Sequence, residues 1–460
     1  MGKVDRIVET LGAQIRDGAL KPGRRLPSLR AAALEFGVSK NTIVDAYDRL
    51  CAAGLARPIH GSGFYVTRPD AAPADLNVPP KHVVEAVNSI SLLNAQLVRG
   101  LTIRIGDGRP PESWMRDSLR GALHAKVRRS FESDRIGYGN AFGYNSLRER
   151  IAMRHRTMGL PISVDQIVTT FGANHALDLI TRRFLEPDDA VLVDDPGYYP
   201  LLAKLKLSKN RVLGVPRTPY GPDVDVLARL AQRHGPKIFF TQSTCQNPTG
   251  TSMTPAVAHA VLQVAAKHGI LVVDNDPFVD LPGDHGTRLA TLDQFNSVVA
   301  ISTYSKLLSA SFRVGYLVAP KPIANEIAEL KLVTVVNSSR FLEIVIAEMI
   351  MTQRYQRHLN DLARRLKEAY GAFHDRIDKL GLDVFSRQAS GFYTFLLLPP
   401  GLDEETLMRE AIDRDIFLAP GKLFHTTGDG NPPALRVNVA RANEPRFFNF
   451  LKSTLAAHGR

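Results

Sequence analysis

The chain has 460 residues, more than one ordinary hydrophobic core accommodates, and its 44% hydrophobic and 23% charged content is that of a soluble globular protein with two or three domains. Residues 1–11 lack an apolar signal-peptide core and no apolar run reaches membrane-spanning length, so export and membrane insertion have no support and the cytoplasm is expected. The net charge of +12 points to a polyanionic partner if the charge is localised. Cys51 and Cys245 stand in unrelated contexts without metal-site or disulfide spacing, and both are expected to be buried small apolar residues.

In chain order, Val4, Ile7, Val8, Leu11 and Ile15 recur at helical spacing, and Asp17-Gly18 ends that helix. A turn from Leu20 leads to Ser28, well placed to cap a second helix over Arg30 to Phe36. Gly37-Val38-Ser39 is a tight turn before a third helix, Lys40 to Ala53, with Ile43, Ala46, Tyr47 and Leu50 on its inner face. Leu55 to Ile59 and Gly63 to Val66, joined by His60-Gly61-Ser62-Gly63, read as the two strands of a wing. Three short helices alone also suit a generic bundle. The wing and the polar start of the third helix favour a DNA-binding winged helix, because Ser39, Lys40, Asn41 and Thr42 are types that reach phosphates and base edges.

The run Pro22-Gly23, Leu26 to Arg30, Gly37 to Thr42, Ala46-Tyr47, Leu50, Gly54-Leu55 and Gly61-Ser62-Gly63 resembles the GntR winged-helix domain. That resemblance implies DNA contact by Arg30, Ser39, Lys40, Asn41 and Thr42, with the Gly61 wing touching the minor groove.

Thr67 to Pro80 is rich in Pro, Ala and Asp and reads as a linker. Val83 to Gly100 is open between a helix and an extension packing on the next domain. Trp114 to Arg128 is expected to be helical. Beyond it, strands alternate with helices, which predicts an α/β core. The expected strands are Gln166 to Thr170, Ala190 to Val193, Lys237 to Gln242, Ile270 to Asp274, Val298 to Thr303 and Val314 to Ala319, with helices such as Asn174 to Leu185 and Ala256 to Lys267. Glu343 to Lys379 is long and amphipathic. Phe392 to Leu398 and Leu435 to Val439 suggest a small α+β lobe. The expected division is a DNA-binding domain over 1–67, a linker over 68–100 and a large domain over 101–460 whose small lobe begins near 335.

The chemistry centres on Ser302-Thr303-Tyr304-Ser305-Lys306 with Arg313-Val314-Gly315-Tyr316. Lys306 follows a buried apolar strand, and burial lowers a lysine's pKa and frees its lone pair for Schiff-base chemistry. A surface lysine is the plain alternative. Gly172-Ala173-Asn174 opens a helix after a strand, an arrangement that favours an anion. Asn247-Pro248-Thr249-Gly250 holds an amide at a strand's carboxyl end, and Asp194 to Tyr198 puts an aromatic ring beside another.

Together with Tyr138-Gly139, Gly143-Tyr144 and Leu147-Arg148, these elements from about Gly106 to Arg441 resemble the aminotransferase family of fold-type I pyridoxal phosphate (PLP) enzymes. The resemblance implies PLP attached to Lys306, its phosphate held by Ala173, Asn174, Thr303 and Arg313, its ring hydroxyl by Asn247 and its ring stacked on Tyr198. It further implies that Arg436 grips a ligand carboxylate, and a guanidinium suits that task because it binds a carboxylate bidentately. The family places an aspartate beneath the pyridine nitrogen and usually a tyrosine near the ring hydroxyl. Here the interval from Asn247 lands on Asn275, with Phe278 in the tyrosine's place. Asp274 takes the aspartate's role only if the register slips by one residue.

A GntR module, a linker and an aminotransferase-like domain in one chain resemble the MocR group of bacterial transcriptional regulators. That implies a homodimer on double-stranded operator DNA, sensing PLP or an amino acid or amine. The competing reading is an aminotransferase with a DNA-binding appendage, and Asn275 weakens it.

Overall fold

Helix α1 (Lys3–Arg16) turns Ile7 and Leu11 inward against α3 (Lys40–Ala52), whose Ile43, Ala46, Tyr47 and Leu50 are fully buried. Between them, α2 (Leu29–Glu35) starts where Ser28 Oγ accepts from Ala31 N at 3.2 Å, the cap expected from sequence. The Gly37 turn needs positive φ (61°), which glycine adopts without strain. Strands β1 (Ala56–Ile59) and β2 (Gly63–Val66) pair antiparallel as the wing. His60 lies outside the described residues.

The computed structural model describes residues 2–59, 61–67, 79–91, 94, 100–115, 123–132, 137–283, 286–351, 353–388, 391–427 and 430–457. They fall into two units, 1–80 and 81–460. Most of the expected linker lies outside the described residues, but α4 (Lys81–Ser89), within the stretch read as linker, belongs to the larger unit. Of the helix expected over Trp114 to Arg128, Glu112–Met115 and Leu123–Glu132 are helical and 116–122 lie outside the described residues.

The larger unit is built on an eight-stranded sheet formed by β3 (Ile167–Thr170), β4 (Ala190–Asp195), β5 (Arg211–Thr218), β6 (Gly221–Pro222), β7 (Ile238–Thr241), β8 (Leu271–Asn275), β9 (Val298–Thr303) and β10 (Gly315–Val318). Its order is β3-β10-β9-β8-β7-β4-β5-β6. Strands β9, β8, β7, β4 and β5 run parallel, while β10 is antiparallel to both β9 and β3, so β3 runs with the parallel set. The carboxyl ends of β3, β9, β8, β7 and β4 therefore share one edge, where ligands of open α/β sheets bind. Strands β3, β7 and β10 are buried throughout, as expected where both sheet faces are covered.

Six strands fall within two residues of the sequence expectation. β5 carries an internal glycine and proline, which conceal a strand from sequence reasoning. Helix α5 (Ala173–Phe184) follows β3, and α6 (Tyr199–Leu207) follows β4. Helix α4 packs along α6, with Lys206 Nζ donating to Ser89 Oγ at 3.1 Å. Of the expected Glu343 to Lys379 helix, residues up to Met351 and from Gln353 onward are helical, and residue 352 lies outside the described residues. A small antiparallel sheet, β11 (Asp383–Val384), β12 (Tyr393–Leu397) and β13 (Ala434–Asn438), carries Tyr393 and Arg436. No helix among the described residues is long and apolar enough to cross a membrane.

Candidate functional site

Lys306 stands in the turn after β9, half-buried, and its Nζ donates to Gly108 O at 2.9 Å. The Tyr393 hydroxyl donates to the same carbonyl at 2.7 Å. Arg436, 2% exposed, donates from Nη2 to Gly106 O at 2.6 Å and from Nη1 to Asn247 Oδ1 at 3.3 Å, with its guanidinium 5.1 Å from the Tyr393 ring centre and 5.0 Å from that of Phe424. Its Nε has no hydrogen-bond partner. A Cβ placed on Gly108 would lie 3.6 Å from Lys306 Nζ, from Arg436 Nη2 and from the Tyr393 hydroxyl oxygen, so amine, guanidinium and phenol converge on this glycine.

The 104–109 loop that carries these carbonyls is fixed by charge. Asp107, wholly buried, accepts from Arg104 Nε at 3.0 Å and from Arg109 Nη2 at 2.7 Å, and Asn438 Nδ2 donates to the Asp107 and Arg109 carbonyls. Burial alone would raise the Asp107 pKa, but the Arg109 hydrogen bonds and the charges of Arg109 and Arg441 hold it at about 2.

On the anion side, Gly172 turns the chain at φ 81° from β3 into α5. A Cβ there would meet Arg313 Nη2 at 3.1 Å, and that nitrogen donates to Phe171 O at 3.0 Å. Exposed Arg313 thus flanks the first turn of α5, where Ala173 and Asn174 lie and where a helix leaves N–H groups without intrahelical partners. Thr303 is buried, with its hydroxyl 3.0 Å from Ser305 Oγ and accepting from Ser305 N at 3.2 Å. Asn174 Oδ1 accepts from the Tyr198 hydroxyl at 3.0 Å, tying the anion side to the ring side.

Tyr198, Gln246, Asn247 and Asn275 line one cleft. Asp274 and Asn275 point to opposite faces of β8, as neighbours on a strand must. Asp274 is buried and accepts from Ser243 N at 2.9 Å and Ser243 Oγ at 2.6 Å. Burial and the nearby Asp276 charge raise its pKa to about 6, against those two hydrogen bonds. Asn275 Oδ1 is sealed from solvent without a partner. Phe278 is buried and packs on the rings of Phe392 and Tyr393.

In the first unit, Arg30, Lys40 and Asn41 are exposed, and Gly61 turns the wing at φ 73°. Ser39 Oγ accepts from Thr42 N at 3.3 Å and lies 2.8 Å from Thr42 Oγ1, so these two side chains cap α3. Cys245 is buried as expected. Cys51 is partly exposed, because it sits on the flank of α3 beside the fully buried Leu50. Sequence reasoning missed Tyr393 and the Asp107 cluster. Tyr393 sits in an apolar strand that reads as core, and Gly106-Asp107-Gly108-Arg109-Pro110 reads as a plain loop.

The sequence pattern described as "Aminotransferase class I and II" matches residues 103–452. The chain belongs to that family. Ahead of its aminotransferase domain, residues 3–66 match the pattern described as "Bacterial regulatory proteins, gntR family". Among curated relatives, the chain is 29% identical to the uncharacterized HTH-type transcriptional regulator YdcR of Escherichia coli, over 96% of this chain and 95% of that protein. It is 24% identical to the HTH-type transcriptional regulator NorG of Staphylococcus aureus, over 87% and 92% respectively.

The aminotransferase fold is shared with solved structures. LysN, the alpha-aminoadipate aminotransferase of Thermus thermophilus, superposes with a TM-score of 0.72 at 23% identity, over 81% of this chain and 98% of that one. Kynurenine aminotransferase of Pyrococcus horikoshii gives 0.71 at 24%, over 84% and 96%. The family's cofactor, PLP, is a planar pyridine bearing an aldehyde, a hydroxyl and a phosphate. The site offers a matching set: the half-buried Lys306 amine, Arg313 beside an open helix start, the Tyr198 ring, and an unpartnered amide oxygen on Asn275.

Proposed function

We propose that this chain is a PLP-dependent, DNA-binding transcriptional regulator of the MocR type, whose aminotransferase domain senses PLP or an amino acid or amine. The observation that carries this reading is the convergence of Lys306, Arg436 and Tyr393 on Gly108 in a chain that also presents an exposed, capped α3. Lys306 would bind the cofactor carbonyl, and Ala173, Asn174, Thr303 and Arg313 would hold the phosphate. Asn247 would face the ring hydroxyl, Tyr198 would cover the ring, and Arg436 would receive a ligand carboxylate. PLP supplies an electrophilic aldehyde that captures primary amines. On the DNA side, Arg30, Lys40 and Asn41 reach outward, while Ser39 and Thr42 set the angle at which α3 begins.

A homodimer is supported by exposed apolar side chains on neighbouring surface elements, among them Tyr138 (87% exposed), Val333 (84%) and Phe341 (45%). Gly139 lies against Asn337, which brings the first of these beside the turn that joins the helices carrying the other two. Two modules in a dimer raise affinity for a two-fold operator through effective concentration.

Two measurements on the full-length chain test the reading. Borohydride reduction with PLP should leave a covalent adduct that is absent in Lys306→Ala; an equal adduct in the variant would refute the role of Lys306. Binding to its own promoter DNA should weaken steeply with salt, and Lys40→Ala should flatten the log–log slope by about one unit. Salt-independent or absent binding would sink the regulator reading.

A further inference from the structure

Among the described residues, the floor of the cleft bears no available negative charge. Asp194, which lines it, accepts from Arg217 Nη1 at 2.9 Å and from Thr241 Oγ1 and Gln242 N. Asp276 is paired with Arg288 at 2.7 Å, and both oxygens of Asp274 are taken by Ser243. Phe278 brings no hydroxyl. What remains is the Asn275 amide, with an oxygen that is buried and unpartnered. Leaving such an amide unpaired costs about 1–3 kcal/mol, and because its two ends exchange by a half-turn of the last side-chain bond, its presence in a cleft points to a ligand with a polar atom for either end to meet.

We propose that Asn275 selects a pyridine ring whose nitrogen is uncharged, donating an amide N–H to that nitrogen, so that PLP is held with its ring nitrogen unprotonated. The inference rests on the PLP reading given above. Rotation about the last side-chain bond presents either end of the amide, so a protonated ring could also find an acceptor. Charge decides between the two. A buried pyridinium with no carboxylate to pair with is disfavoured by desolvation. The neutral ring accepts a hydrogen bond at no such cost. A protonated ring nitrogen is what makes PLP a strong electron sink, and an amide cannot hold that proton there as a carboxylate does. A site built this way retains the ring and the amine-capturing aldehyde yet converts its ligand poorly, which suits a sensor.

The test is solid-state NMR of the full-length chain loaded with PLP isotopically labelled at the ring nitrogen. The parent and Asp274→Asn should both show the shift of a neutral pyridine, whereas the near-isosteric Asn275→Asp should show that of a pyridinium. A pyridinium shift in the parent would overturn the inference while leaving the PLP reading intact. So would a neutral shift in Asn275→Asp, since the residue would then not govern the proton. No bound label in the parent would instead remove the PLP reading, and this inference with it.

Discussion

In residues 1–80 the side chains expected to meet DNA are close in sequence and, apart from partly buried Thr42, exposed, and the caps that orient them come from the same short stretch. In residues 81–460 the atoms around Lys306 come from all along the chain: Gly106 and Arg436, which share a hydrogen bond, are 330 positions apart. A locally specified surface loses little when one cap is removed. A site gathered from strand ends depends on the buried pairs that hold its loops, and there one lost charge disturbs several partners together.

The largest effect is expected at the loop that joins these distant parts. Asp107→Asn leaves Arg104 and Arg109 without their carboxylate and should lower the unfolding free energy of the large unit by about 3–5 kcal/mol in urea titrations. The sign with pH follows from the depressed pKa. The folded chain binds fewer protons at Asp107 than the unfolded chain, so its contribution is present above the ordinary aspartate range and is lost as pH falls toward about 2. The gap between parent and variant should therefore close on acidification. A variant with the parent's urea midpoint at neutral pH would mean that the loop is held by its backbone bonds alone.

A smaller effect is expected where the site meets its ligand. Arg436→Lys should weaken binding of amino-acid carboxylates roughly tenfold to a hundredfold while PLP binding persists, because a point charge replaces a planar donor pair. Calorimetric titration with an amino-acid panel reads this directly, and unchanged affinities would remove Arg436 from ligand recognition.

The smallest effect tests the other half of the comparison. Ser39→Ala removes the α3 cap and should cost the first unit about 1 kcal/mol, leaving the large unit's unfolding transition where it was. A shift in both transitions would show that the first unit is less self-contained than its local caps imply.

Much of this was legible in the sequence. Ser28 as a cap, the wing, six strands of the large sheet and the lysine after β9 follow from periodicity and turn chemistry, which are local, whereas the capping role of Ser39 came only with the structure. The short strands β6 and β11 did not show, because a two-residue strand carries no period. At the site, the offset from Asn247 pointed to Asn275, and the structure places that side chain in the cleft while Asp274 faces Ser243.

The sequence by itself determined which residues are chemically able to serve: a strand-end lysine, an arginine in β13, asparagines at two strand ends, and a glycine-led helix start. Only the tertiary structure decided that they meet. Reversal of β10 between β9 and β3 brings the Gly172 turn to the same edge as Lys306. The small sheet delivers Tyr393 and Arg436 onto a loop whose buried aspartate is satisfied by arginines on either side of it in sequence. The physical reason is that burial and pairing are properties of what surrounds a group. The same aspartate in an exposed loop would be a solvated charge, and the same tyrosine in a strand facing only apolar neighbours would be core.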